Sequence, residues 1–78
     1  MNDLEIYQNI ANYLENCGTN LHMSKRQLSK LTGITPVYIR EVLRGQRKPS
    51  IIILIQLCNA MNIKLSTLFN DLENNNKI

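Results

Sequence analysis

The 78-residue chain has no tryptophan and one phenylalanine, so aliphatic side chains must fill most of its core. It has two cysteines, Cys17 and Cys58, too few for a disulfide framework, and both are expected as reduced thiols. Its one histidine, His22, stands in no metal-ligand or nucleophile–base pattern, so neither a metal site nor a catalytic residue is expected. There is no phosphate-cradling glycine-rich loop, and the chain is expected to be no enzyme and to carry no cofactor. No apolar run approaches the roughly 20 residues that span a bilayer, so no membrane partner is expected. The stretch MNDLEIYQ at the start is acidic and polar rather than signal-like, which points to the cytoplasm. Apolar and polar residues nowhere alternate with period two, which excludes a strand signal and leaves an all-α class. A chain of this length is one domain that buries roughly 60% of its unfolded surface, with no room for a separate sensor domain.

Acidic charge is nearly missing from the middle of the chain. Residues 25–48 hold Lys25, Arg26, Lys30, Arg40, Arg44, Arg47 and Lys48 against a single acid, Glu41. The remainder carries Lys64 and Lys77 against Asp3, Glu5, Glu15, Asp71 and Glu73. A basic third on an otherwise acidic chain suits a phosphate-rich partner better than a solvated face of mixed sign.

What is present is a series of short amphipathic helices with clear stops. Tyr7, Ile10, Ala11 and Leu14 recur at helical spacing over residues 4–16, and Gly18 is expected to end that helix before a loop over 19–23. Ser24 with Gln27 makes a capping box for a second helix, whose apolar face is Leu28 and Leu31. Gly33 closes it, and Thr35 with Pro36 opens a third helix that ends at Gly45. Gln46–Pro49 is a basic connector, Ser50 caps a fourth helix over Ile51–Asn62, and a fifth lies around Leu65–Phe69. The expected division is a domain over residues 1–70 and a polar, flexible tail over 71–78.

The second and third helices are joined by a tight glycine turn, with small Ser29 four positions before Gly33, and Leu28, Ile34, Ile39 and Val42 are placed to fix the crossing. Residues 23–69 resemble the lambda-repressor-like, Cro/C1-type (Xre family) helix-turn-helix proteins. The likeness rests on Gly33, on Val42-Leu43-Arg44-Gly45, on Arg47-Lys48-Pro49-Ser50, and on Ala60-Met61 and Leu68-Phe69. It implies five helices and sequence-specific binding of double-stranded DNA. Three departures stand out. Lys25 occupies a position where the family often has glutamine. Leu14 and Leu43 stand where it often pairs an arginine with a glutamate, so an apolar contact is expected in place of an ion pair. The loop over 19–23 is longer than usual.

At about 100° per residue, Val37, Arg40, Glu41 and Arg44 share one face of the third helix, opposite Ile39, Val42 and Leu43. The resemblance implies that this outer face reads the major groove, with base contacts at Pro36, Val37, Arg40 and Glu41. Arginine can bind guanine bidentately, glutamate can accept from cytosine N4, and valine or proline can meet a thymine methyl. Lys25, Tyr38, Arg44, Arg47 and Lys48 are the expected phosphate contacts. Five aliphatic residues in a row, Ile51–Ile55, cannot all face one core, which marks Ile52 and Ile53 as a candidate homodimer surface. The function expected is a small transcriptional regulator, a repressor, that binds a palindromic operator as a dimer. The alternative is an antitoxin or interaction module of the same fold that docks a protein partner on the isoleucine-rich surface. An RNA-binding reading lacks the aromatic platform it would need.

Overall fold

The computed structural model describes all 78 residues as five helices and no strand: α1 (Asp3–Asn20), α2 (Lys25–Thr32), α3 (Pro36–Leu43), α4 (Ile51–Ala60) and α5 (Leu65–Asn74). This is the expected all-α, five-helix architecture. Four of the five N-termini are capped by a side chain that accepts a backbone N–H: Asn2 from Glu5, Ser24 from Gln27, Thr35 from Tyr38 and Ser50 from Ile53. At α2 the box is reciprocal, because Gln27 Oε1 also accepts from the Ser24 N–H at 2.9 Å. Pro36 sits in the first turn of α3, where its missing N–H leaves no gap in the ladder.

The C-termini share one device. His22, Gly45, Asn62 and Asn76 each take a positive φ, and the residue after each donates back to the carbonyl five positions earlier. These are Schellman closures of α1, α3, α4 and α5. Gly33 closes α2 with the simpler left-handed cap, at φ 78° and with its N–H on Ser29 O. The end of the Gln8 side chain of α1 rests against Gly45, so α1 crosses close over the end of α3.

Three expectations are corrected. Gly18 does not end α1. The helix continues through Thr19 and Asn20, so the loop is shorter than expected, and Gly18 is buried where Met23 and Met61 come within 3.9 Å of its absent Cβ. Leu31 is not core: it is 64% exposed, beside Gln56 and Asn59 of α4, because eight residues of α2 turn only Leu28 fully inward. The fifth helix does not stop at Phe69. It runs to Asn74 and buries Leu72, four positions after Leu68, so residues 71–74 belong to the packed helix rather than to a tail.

The core is one cluster. α1 gives Ile10 and Leu14, α2 gives Leu28, and α3 gives Ile39, Val42 and Leu43. α4 contributes Leu54, Leu57, Cys58 and Met61, and α5 contributes Leu68 and Leu72. Leu14 and Leu43 are both in it, so this part of the interface between α1 and α3 is apolar. No buried side-chain polar atom lacks a partner. Tyr13 of α1 donates its hydroxyl to Asp71 Oδ2 of α5, and Asn9 Nδ2 donates to Lys77 O at 2.9 Å, so α5 and the residues that follow it are each tied to α1 by a polar bond.

The bond to the Asp71 carboxylate, helped by partial burial, pushes the Tyr13 hydroxyl well above the ordinary phenol value of 10.0. A raised value favours the neutral form in the fold. The contribution is therefore complete below pH 10.0 and is lost as the pH climbs from there through the folded-state value. Tyr13→Phe is expected to lower stability by about 0.5–1.5 kcal/mol in urea unfolding at neutral pH, and its deficit relative to the wild type is expected to shrink under strongly alkaline conditions.

Candidate nucleic-acid interface

α3 is two turns long, and its two sides differ completely. Ile39, Val42 and Leu43 are buried, while Pro36, Val37, Arg40 and Arg44 are exposed and Glu41 is half-buried. Val37, at 52% exposure, is the most prominent apolar group of that outer side. The turn that leads into it is knitted by Thr32, whose hydroxyl donates to Leu28 O at 2.7 Å and accepts from Ile34 N–H at 3.1 Å. That pair of bonds satisfies the turn amide of Ile34 and ties the turn to the last turn of α2.

The cations fall into two groups. Arg26, Lys30, Arg40, Arg44 and Lys48 are exposed and make no ion pair. Lys25 and Arg47 are engaged. Lys25 Nζ lies 2.8 Å from Glu15 Oε1 of α1, and Arg47 Nε lies 2.7 Å from Glu41 Oε2. The bond to Glu41 also holds Arg47 more firmly protonated than usual. Both pairs reach solvent, so neither contributes much to fold stability. Each connector cation also sits over a tyrosine ring, Arg47 over Tyr38 at 4.7 Å and Lys48 over Tyr7 at 5.6 Å.

Tyr38 is half-buried against the core, so its ring is a fixed seat. Glu15 and Tyr7 were not singled out from the sequence as partners of the patch. Both belong to α1: Glu15 meets Lys25 across the turn between α1 and α2, whereas Tyr7 and Lys48 are far apart in the chain and meet only through the packed fold. The sequence offered one faint signal, that Glu15 falls on the half-buried rim of α1 beside Leu14.

The isoleucine run divides as a helix must. Leu54 is buried, Ile53 is half-buried and packs on the core, and Ile51 and Ile52 stand 52% and 59% exposed. The structure thus separates Ile52 from Ile53. Ile51 also lines an open apolar groove with Ile6, Tyr7, Ile10 and Leu54. No three His, Cys, Asp or Glu side chains are gathered closely enough to hold a metal ion, and no single helix is long and apolar enough to cross a membrane.

Against known proteins, the helix-turn-helix family profile matches residues 19–68. Two uncharacterised HTH-type transcriptional regulators from two strains of Mycobacterium tuberculosis are each 38% identical over 48 residues. That match takes in 62% of this chain but 34% of each relative, so the chain spans about a third of their length. Among solved structures, the restriction-modification controller protein C.AhdI from Aeromonas hydrophila superposes with a TM-score of 0.75 at 27% identity, covering 80% of this chain and 94% of that one.

The geometry of α4 gives a stability test. Ile52→Gln is expected to stay within about 0.5 kcal/mol of the wild type in urea unfolding at low protein concentration, as for an exposed site. Leu54→Ala, two positions on, is expected to lose about 2–5 kcal/mol, as for a core site.

Proposed function

The chain belongs to the helix-turn-helix family, in its Cro/C1-type form, and from that premise we propose that it is a transcriptional regulator that binds double-stranded DNA. The observation that carries this reading is the outer side of α3, where Pro36, Val37 and Arg40 stand exposed; in this reading they meet base edges. Exposed cations flank that side on α2 and in the connector. Arg44 lies late in the helix, and with Lys25, Arg47 and Lys48 it is suited to backbone phosphates; Tyr38 borders the same strip. The likeness to a restriction-modification controller protein, covered over nearly its whole length, supports a regulator of this compact kind.

The proposed working form is a homodimer that acts as a repressor on a palindromic operator. Ile51 and Ile52 form the exposed aliphatic surface that such pairing would cover, with Ile53 at its inner edge. A two-fold pair sets two recognition helices about 34 Å apart, one turn of duplex. The same exposed isoleucines support a second reading, in which this surface docks a different protein, as an antitoxin would.

Selection from a random duplex library tests the proposal. A palindromic winner, bound at least about 1,000-fold more tightly than a scrambled duplex, is expected; salt-quenched binding with no enriched sequence would contradict it. On the winner, Arg40→Ala is expected to cost about 1–3 kcal/mol and to relax discrimination at one base pair. Arg47→Ala is expected to weaken winner and scramble alike and to lower the salt slope by about one unit. Fluorescence anisotropy at two salt concentrations reads both.

A further inference from the structure

Arg47 is held on two sides. Its Nε donates to Glu41 Oε2 at 2.7 Å, and the guanidinium carbon lies 4.7 Å from the centre of the Tyr38 ring. Glu41 and Tyr38 are three positions apart on α3 and so stand on neighbouring turns of one flank, while Arg40 and Arg44 occupy the other. The connector that carries Arg47 leaves α3 through Gly45, and its chain is fixed there by the Gln46 N–H on Glu41 O at 2.9 Å. Glu41 therefore holds the connector twice, once by its backbone and once by its carboxylate.

We infer that Glu41 is a positioning residue, which together with Tyr38 holds Arg47 as a preformed ligand for a duplex phosphate, and that it does not itself read a base. This rests on the DNA-binding reading above. The geometry is compatible with a brace. A guanidinium carries five N–H donors in one plane, so an acid bound at Nε leaves the terminal Nη fork open to a phosphate. Glu41 takes the Nε–H, and no protein acceptor takes the Nη groups.

Two physical consequences follow. A long side chain on an exposed connector loses rotamer freedom when it binds, and a side chain ordered beforehand loses less. Arginine suits this arrangement where lysine would not, because its planar group can stack on a ring and donate in two directions at once. The acid also ceases to be an isolated negative charge on a surface meant for a polyanion, since Arg47 compensates it. Glu41 is the single acid in the basic third of the chain, and this role accounts for its presence.

A double-mutant cycle tests the assignment: wild type, Glu41→Gln, Arg47→Ala and the double variant, titrated by anisotropy with a selected duplex, its single-base-pair variants and a scramble. In the Arg47→Ala background, Glu41→Gln is expected to tighten binding, since a lone acid facing phosphates is removed. In the wild-type background that gain is expected to be cancelled or reversed, a coupling of about two- to five-fold, the range that one exposed ion pair supports. The coupling should be equal on selected and scrambled duplex. Equal tightening in both backgrounds would make Glu41 a mere repulsive charge and overturn the assignment. A loss confined to one base pair would make it a base reader, and greater tightening in the wild-type background would make it a latch; either result overturns the assignment too. Wild-type protein that binds no duplex overturns the DNA-binding reading and this inference together, whereas wild-type binding without coupling overturns the inference alone. Unfolding midpoints recorded in parallel separate a purely structural role, which would move them without coupling on DNA.

Discussion

An eight-residue helix has no stability of its own. Nucleating a helix fixes several residues for one hydrogen bond, and isolated helices shorter than about 12 residues are marginal in water. α3 exists because Ile39, Val42 and Leu43 are locked into a core shared by all five helices. Everything proposed for the outer side depends on that anchorage, since three buried side chains on two turns leave the helix no freedom to roll. The caps at Thr35 and Gly45 set its ends, and the Thr32 bonds tie the turn before it to α2. The surroundings share this role: α1 lies across the end of α3 at Gly45, and α2 packs along it.

The charge arrangement follows from the same frame. A run of cations concentrated on a small domain repels itself, and the structure relieves this at only two places, by Glu15 on Lys25 and Glu41 on Arg47. Tyr7 and Tyr38 add seats for Lys48 and Arg47, so the connector is an ordered ledge rather than a loose loop. The cations without an ion pair lie on α2, along the Arg40–Arg44 edge of α3 and at Lys48 in the connector. Under the proposed function this divides the surface into a free electrostatic field and a braced edge, with the apolar Val37 and Pro36 between them at the entry of the helix.

Much of this was legible in the sequence, for identifiable reasons. Ser24, Gln27, Thr35, Pro36 and Ser50 act on backbone groups within four residues, and such local chemistry is visible without a fold. The buried line of α3 follows from helical spacing alone. Gly18 misled because a glycine near a helix end resembles a stop. The reversal falls instead at His22, whose positive φ no local pattern announces. Leu31 misled because an apolar residue three positions from a core residue looks like core, yet α2 is too short to bury a second line. The length of α5 was hidden by the polar string around Leu72, where a single apolar residue carries the period. The partner of Lys48 lies on α1, and distance along the chain conceals it.

If the outer side of α3 meets DNA while the remainder of the fold holds it in place, amide chemical shifts of the intact chain will report it during titration with a selected duplex. Perturbations are expected over residues 24–26, 35–41 and 44–48, with residues 65–74 unmoved. Shifts centred on α5, or spread evenly over all five helices, would contradict it.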